Sequence, residues 1–402
     1  MTKITAPKMA YILGEEMTRY GMSLILDQWI NPHLDTSSWQ FFDLSAKNRD
    51  DTQDQILTDV VEAGKEIRVI FKEPTVTPTA DQAKAWGLSK AWGSPNGAMR
   101  RGWNGISISR DTIMVPGVEL GYKKPVLFDR HAVGGEYGAA FAETGAGRAV
   151  TTFYPDDGGE SITIVDRQLS DSRNALVTYH NPLDNVEDLA HHFFARSLSA
   201  GVTPYVTTKK TVFKWQEPFW QIMKDIFDAH YKEKFIEKGL LDSCHNELTH
   251  IISDAACMKL PAWTSGGFAM VAHNYDGDML TDLMGQIHRS AGFVSSVLVG
   301  KADDGTIIKE FEASHGTVSD MYRRHKEGQE TSLNPLGMAY ALLEAIDYSA
   351  ELSGGNTSLT EFTSRLRNAM YSCMQEGKAT RDMVGPQGLT TEGFVEAVAA
   401  KL

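Results

Sequence analysis

The chain is short of cysteine, of long apolar runs and of basic charge, and each shortage narrows what it can be. Its three cysteines, Cys244, Cys257 and Cys373, are odd in number and widely spaced. Free thiols in a reducing compartment are therefore expected, not a disulfide framework. Cys257 lies in an apolar helical stretch and reads as core. No apolar run approaches the roughly 20 residues that a membrane-spanning helix needs, so no membrane partner is expected. A net charge of −13 argues against nucleic acid as a partner, because phosphate contacts need a basic face. Met1 to Met9 lacks the apolar core of a signal peptide and the Arg-rich pattern of a transit peptide. A cytoplasmic location is expected, or the mitochondrial matrix if a transit peptide has been removed. Internal repeats and low-complexity segments are also missing.

What is present is the composition of a globular protein, 42% apolar and 23% charged over 402 residues, enough for two or more lobes. The start alternates strand and helix. Met9 to Leu13 reads as a buried strand, and Met22, Ile25 and Trp29 then share one helical face. Trp39 to Phe42 is a second strand, Asp54 to Ile67 an amphipathic helix, and Arg68 to Phe71 a third strand. This alternation predicts an α/β sheet with helices on both faces. No G-x-G-x-x-G follows the first strand, so an ordinary Rossmann domain is excluded. Gly145-Ala146-Gly147 reads as a plain turn. From about 135 to 183 the pattern changes to short alternating strands at Val150–Tyr154, Ser161–Val165 and Asn174–Tyr179, with a hairpin-type turn at Asp156–Gly159. A sheet this small completes its core with a partner chain more readily than alone. Helical pattern returns over Val186 to Leu198 and dominates from Phe219 onward.

The most informative stretch is Ser314-His315-Gly316-Thr317-Val318-Ser319-Asp320-Met321 with Gly328 to Pro335. Gly316 lets backbone N–H groups approach a phosphate. Asp320 can accept a hydrogen bond from a ribose 2′-OH but repels a 2′-phosphate. Asn334-Pro335 predicts an N-cap and a first-turn proline for a helix over Leu336–Leu352, closed by Gly354-Gly355. Taken alone, the stretch reads equally well as an ordinary loop before a buried helix. Asp278 and Asp282, at i and i+4 near a helix start, place two carboxylates on one face, where a hard cation such as Mg²⁺ or Mn²⁺ relieves their repulsion. A solvated acidic helix start is the plainer alternative. Thr77, Ser94, Asn96, Arg100, Arg110 and Arg130 could hold a polycarboxylate, since guanidinium groups grip carboxylates in bidentate fashion. Here Ser94 to Gly97 reads as a turn and Arg130 as a charge at the end of the strand Pro125–Phe128; structural salt bridges are the alternative for each arginine. Tyr137 and Lys209 are the proton-handling candidates.

Taken together and in order, Thr77, Ser94-Pro95-Asn96, Arg100, Arg110, Arg130-His131-Ala132, Tyr137, Lys209, Asn274-Tyr275-Asp276-Gly277-Asp278 with Asp282, His315-Gly316-Thr317 and Gly328 to Pro335 resemble the homodimeric isocitrate dehydrogenases. The likeness spans nearly the whole chain and is strongest to the branch typified by the eukaryotic NADP-dependent enzymes. The resemblance implies a β-decarboxylating dehydrogenase fold: a large α/β domain (1–103 and 289–402), a small α/β domain (104–134 and 184–288) and a β clasp (135–183). It implies a homodimer with shared active sites, and isocitrate as substrate. Thr77, Ser94, Asn96, Arg100, Arg110 and Arg130 would hold the carboxylates, with Thr211 nearby, and Tyr137 and Lys209 would move protons. Asp278 and Asp282, with Asp254 of the partner subunit, would bind Mg²⁺ or Mn²⁺. Thr75, His315, Gly316, Thr317, Val318, Asp320, Met321 and Asn334 would line the dinucleotide site.

One departure from that branch matters most. NADP-dependent members carry Arg-His where this chain has Asp320-Met321, and the positions around Ala262 and Trp263 are not basic, although Lys259 is close. A 2′-phosphate would meet Asp320 with no arginine to answer it, so NAD is the expected cofactor. Two alternatives stand beside this reading. A sibling enzyme acting on isopropylmalate, homoisocitrate or tartrate fits the Ser94, Asn96 and triple-arginine set less well. A non-catalytic regulatory subunit would be expected to lack one of Tyr137, Lys209 or the metal aspartates, and none is missing.

Overall fold

The computed structural model describes residues 3–402; Met1 and Thr2, at the head of the N-terminal segment read above, lie outside the described residues. Two compact units make up the chain, one of residues 3–133 with 183–402 and the other of residues 134–182.

The larger unit is built on one ten-stranded sheet. Its strands are β1 (Ala10–Leu13), β2 (Gln40–Asp43), β3 (Val69–Lys72), β4 (Gly105–Thr112), β5 (Val126–His131), β6 (Thr203–Thr208), β7 (Thr249–Ile252), β8 (Phe268–Ala272), β9 (Val294–Lys301) and β10 (Ile307–Ala313). They lie in the order β7-β6-β8-β5-β4-β9-β10-β3-β1-β2. The four strands from β7 to β5 are parallel to one another, as are the four from β10 to β2. Three antiparallel pairings, β5/β4, β4/β9 and β9/β10, separate these sets, so the two sets run in opposite directions.

Helices cover both faces, as the alternating pattern predicts. Those that shape the site are α1 (Glu16–Ile25), α2 (Gln55–Ile67), α3 (Pro95–Gly102), α4 (Val186–Ala200), α5 (Asn274–His288), α6 (Ser319–Lys326) and α7 (Leu336–Leu352). The period-2 alternation of strands sorts the side chains. Tyr11 and Phe71 enter the cluster formed with α1 and α7, whereas Ile12 and Ile70 enter the one formed with α2 and α3. Leu127 packs with Phe193 and Phe194 of α4, and its neighbour Phe128 with Leu280 and Met284 of α5. Met22, Ile25 and Trp29 are all buried on one side, as expected, and the Trp29 indole donates to the Val395 carbonyl at 2.9 Å. Each such side chain contributes about 1.5–3 kcal/mol by leaving water, which fixes α1 and the turn after it in the core.

Three local expectations need correction. Ser94 to Gly97 is the opening of α3 and not a free-standing turn, because Pro95 at the first helical position presets the helical φ. Arg130 lies inside β5, which runs on through His131, and is 1% exposed. At α7 the cap position falls on Pro335; Asn334 acts from one residue earlier, its Oδ1 accepting the Leu336 N–H at 3.0 Å. The other end behaves as read: Gly354 and Gly355 are left-handed (φ +87° and +92°), and the Gly355 N–H returns to the Ala350 carbonyl at 2.9 Å.

The unit 134–182 contains two antiparallel ladders. Residues 147–153 pair with 162–169, and residues 174–178 pair with a strand at Ala140–Thr144 that the sequence reading missed. Gly145 and Ala146 lie between the strands Ala140–Thr144 and Gly147–Phe153, as a turn should. None of the buried apolar clusters includes a residue of this unit, while Phe141, Val150, Phe153, Tyr154, Ile162, Ile164 and Val177 are exposed.

Candidate active site

Two of the sequence-predicted acids and two of the arginines meet at α5. Asp278 and Asp282, one turn apart on that helix, both face Arg110 from the middle of β4: Arg110 Nη1 lies 3.1 Å from Asp278 Oδ1 and 3.3 Å from Asp282 Oδ1. The same Nη1 donates to Thr281 Oγ1 at 2.8 Å. Arg130 reaches α5 from β5, its Nη1 paired with Asp278 and its Nη2 donating to Asn274 Oδ1 at 2.7 Å. Both arginines are buried, which is tolerable only because each guanidinium is matched by carboxylate and amide oxygens. Asp282 itself is largely open, with 71% of its side chain exposed. Burial pushes its carboxyl pKa up, Arg110 draws it down and Asp278 pushes it up again.

Two buried atoms of the expected substrate set have no protein partner: Arg110 Nε and Asn96 Oδ1. Buried polar groups are nearly always satisfied, so a donor and an acceptor left over beside α5 and α3 fit a polar ligand. For a divalent cation, the donor set also fits. Two carboxylates from one helix supply hard oxygen ligands, and a Mg²⁺ site typically takes one or two protein carboxylates plus ligand oxygens. Among the described residues, no three His, Cys, Asp or Glu side chains converge as a complete metal site. Asp254 stands apart from the α5 pair, at the start of the helix after β7, where its carboxylate accepts from Lys209 Nζ. Lys209 follows β6 directly, as expected, and Thr211 lies exposed in the turn beyond it. Tyr137 belongs to the other unit, in the short helix Gly135–Gly138, and is half exposed.

A second group lines the ends of β10 and β3. Lys72 and Glu310, on paired strands, are buried beside Glu312. Burial disfavours the Lys72 ammonium, but Glu312 and Glu310 outweigh it and its pKa is raised. Glu310 is pushed up by burial to about 7 against the pull of Lys72, while Glu312, which accepts from Lys72, is held below the usual range despite its own burial. The charge of Arg100, on α3, lowers both glutamates. Thr75 and Thr77 follow β3 in the next loop, Thr77 exposed.

The loop after β10 carries His315 to Met321. Nothing lies within 4 Å of where a Cβ on Gly316 would stand, so the backbone there is open to a ligand. Burial lowers the His315 pKa, and its Nε2 lacks a partner. Thr317 turns inward: its hydroxyl donates to Glu16, and Val318 holds a left-handed φ of +57°, costly for a β-branched residue. Asp320 sits in the first turn of α6, exposed, and Met321 packs against the core. Here the sequence reading missed a partner. Arg323, one turn along α6, pairs with Asp320 at 2.9 Å, so an arginine does stand beside that acid. The i, i+3 spacing of Asp320 and Arg323 on one helix face is the signal that marks this pair in the sequence. Asn334 Nδ2 donates to Asp382 Oδ2 at 3.0 Å, a contact no local pattern announces.

Sequence reasoning quoted Asn274 in its motif without a role and missed Thr281; they complete the shell around Arg130 and Arg110. It also missed the acids Glu15 and Glu16 after β1. His273, preceding α5, is buried with neither ring nitrogen bonded, and burial, with His131 adding to it, lowers its pKa to about 3. It stays a neutral imidazole at physiological pH.

With this geometry established, known proteins give it a place. The family model described as isocitrate/isopropylmalate dehydrogenase matches residues 8–398. The chain is 57% identical to isocitrate dehydrogenase [NAD(+)] 1, mitochondrial, of Phaeodactylum tricornutum, over its whole length and 75% of that protein. It is 58% identical to the mitochondrial isocitrate dehydrogenase (NAD(+)) of Ostreococcus tauri, covering all of this chain and 86% of the relative. A chloroplastic/mitochondrial NADP enzyme of Arabidopsis thaliana is 32% identical over 97% of this chain and 80% of its own. A crystal structure of the Ostreococcus tauri isocitrate dehydrogenase in complex with isocitrate and magnesium(II) superposes with a TM-score of 0.94, at 58% identity over 100% of both chains. The chain belongs to the isocitrate/isopropylmalate dehydrogenase family.

Proposed function

We propose that this chain catalyses the NAD⁺-dependent oxidative decarboxylation of isocitrate to 2-oxoglutarate and CO₂ with Mg²⁺ or Mn²⁺. The convergence of Arg110 and Arg130 on Asp278 and Asp282 carries the reading. It places two buried guanidinium groups, suited to carboxylates, beside two carboxylates suited to a hard cation. The likeness to two NAD⁺-dependent isocitrate dehydrogenases supports it. When bound, the cation supplies Lewis acidity at the substrate hydroxyl and the dinucleotide supplies a hydride acceptor.

The chain's own residues do the rest. Asp278 and Asp282, with Asp254 of the partner subunit, hold the cation. Arg100, Arg110 and Arg130 take the substrate carboxylates; Thr77, Ser94, Asn96 and Thr211 add hydroxyl and amide contacts. Fixing all three carboxylates orients the hydroxyl-bearing carbon, and such positioning can supply roughly 7–11 kcal/mol of a barrier. Lys209 Nζ takes the hydroxyl proton, and Tyr137 Oη returns a proton to the carbon that loses CO₂. Thr75, His315, Gly316, Thr317, Val318, Asp320, Met321 and Asn334 form the dinucleotide site, with Asp320 accepting from the ribose 2′-OH.

Residues 135–183 are proposed as a clasp that pairs with a second copy, which would bury its exposed apolar strands and complete two shared sites. The remaining residues divide into a large domain (1–103 and 289–402) and a small one (104–134 and 184–288). Among the described residues, no helix is long and apolar enough to cross a membrane. Both close relatives are named mitochondrial, so the mitochondrial matrix is the proposed compartment. Incubating the purified chain with isocitrate, NAD⁺ and Mg²⁺ should yield 2-oxoglutarate and CO₂ in equal amounts, and chelation of the metal should stop it. Turnover of isopropylmalate or tartrate in preference to isocitrate would overturn the substrate assignment.

A further inference from the structure

The turn after β1 is where an ordinary dinucleotide fold places its glycines, and here it carries two acids. Gly14 is needed for close approach, since a Cβ would run into the Pro74 carbonyl; its N–H donates to Glu73 Oε2 at 2.8 Å. Glu15 spreads its carboxylate over two neighbouring loops, accepting from the Ala46 N–H at 2.9 Å and the Val76 N–H at 3.1 Å. Glu16 reaches the third loop. One oxygen, Oε2, accepts from both the Thr317 and Ser319 hydroxyls, the latter at 2.5 Å.

The backbone is bent to achieve this. Glu16 adopts φ +58° and Val318, between its two donors, φ +57°. Left-handed non-glycine residues persist only where the surroundings over-determine them, and they cluster at functional sites. A cavity of about 730 Å³ runs beside this turn, bordered by Gly14, Glu16, Ser319, Tyr322 and Arg323. The carboxylate thus bonds to neither Asp278 and Asp282 on α5, nor Arg110 and Arg130, nor Lys209. Its partners are the residues on either side of Val318, directly between Gly316 and Asp320.

We propose that Glu16 is a positioning residue for the cofactor: it holds the Thr317–Ser319 loop in the conformation that presents Gly316 and Asp320 to the dinucleotide, while Glu15 ties the same turn to the Thr75–Thr77 loop. The proposal rests on the NAD⁺ reading above and assigns it a support that contacts no reacting atom. A carboxylate suits the task because a single oxygen can accept two hydroxyls with charge-assisted strength.

The test uses the full chain with Glu16→Gly and Glu16→Gln. Glycine accepts φ +58° without strain, so the first variant removes the carboxylate alone. NADH affinity, read by its fluorescence without isocitrate or metal, should weaken by about tenfold in Glu16→Gly, and KM for NAD⁺ should rise alike. KM for isocitrate and Tm should stay at their wild-type values. Glu16→Gln keeps an acceptor oxygen and should show a smaller change of the same sign. Unchanged NADH affinity in folded Glu16→Gly would overturn the proposal, as would a joint rise of both KM values with a fall in Tm. A wild-type chain that binds NADH but turns over no isocitrate would defeat the function reading and leave this comparison intact.

Discussion

Asp278→Asn should lower kcat by about two to four powers of ten at saturating Mg²⁺, because a cation at this site supplies several kcal/mol of charge stabilisation. The substitution keeps shape and an acceptor oxygen but removes the charge that faces both Arg110 and Arg130. Arg110 then keeps Asp282 as its carboxylate partner, and Arg130 keeps the amide oxygen of Asn274. Removing one partner of a buried ion pair costs about 3–5 kcal/mol where burial is complete, and Asp278 is about a third exposed, so roughly half of that is expected. Asp282→Asn should separate the two effects. Its carboxylate is mostly exposed and meets Arg110 only at 3.3 Å, so activity should fall comparably while Tm hardly moves. Steady-state kinetics over a Mg²⁺ titration, with thermal melts of each variant, read both. Activity within tenfold of wild type in Asp278→Asn would remove Asp278 from the metal set.

Asp320→Arg with Met321→His should reverse the cofactor preference. Asp320 is exposed in the first turn of α6, paired with Arg323 one turn along. With arginine at 320, two guanidinium groups face the position where a 2′-phosphate would lie, and the carboxylate that repels it is gone. A swing of a few kcal/mol in charge matching corresponds to about 10²–10³ in the ratio of kcat/KM for NADP⁺ over NAD⁺. The fold should tolerate the change at modest cost. Exchanging an acid for a base in a first helical turn loses about 0.3–1 kcal/mol of dipole complementarity, and Met321 gives up some packing against the core. An unchanged cofactor ratio in the folded double variant would refute the role given to this loop.

How much of this could be read from the chain alone depended on how local each signal is. Apolar periodicity located β1, β2, β3 and α2 to within a residue or two, since burial on a sheet face or helix stripe writes itself into adjacent positions. The i, i+4 pair Asp278 and Asp282 was legible for the same reason. Arg130 was misplaced because a charged residue inside a strand looks like its end until Asn274 and Asp278, more than a hundred residues away, are seen to neutralise it. Glu16 was invisible: an acid after a strand is ordinary, and only the fold brings Thr317 and Ser319 to it. The strand Ala140–Thr144 was hidden because its side chains are mostly exposed in this chain, so no alternation of buried and open positions marks it. Arg323 was legible at i+3 from Asp320, since both lie on one face of the same helix.

The most direct measurement is kcat/KM of the wild-type chain for NAD⁺ and for NADP⁺, each titrated at saturating isocitrate and Mg²⁺. A ratio favouring NAD⁺ by at least about a hundredfold is the expected result, the size of a few kcal/mol of unmatched charge at Asp320. Equal or greater efficiency with NADP⁺ would contradict it, and would mean that Arg323 answers the 2′-phosphate that Asp320 was assigned to exclude.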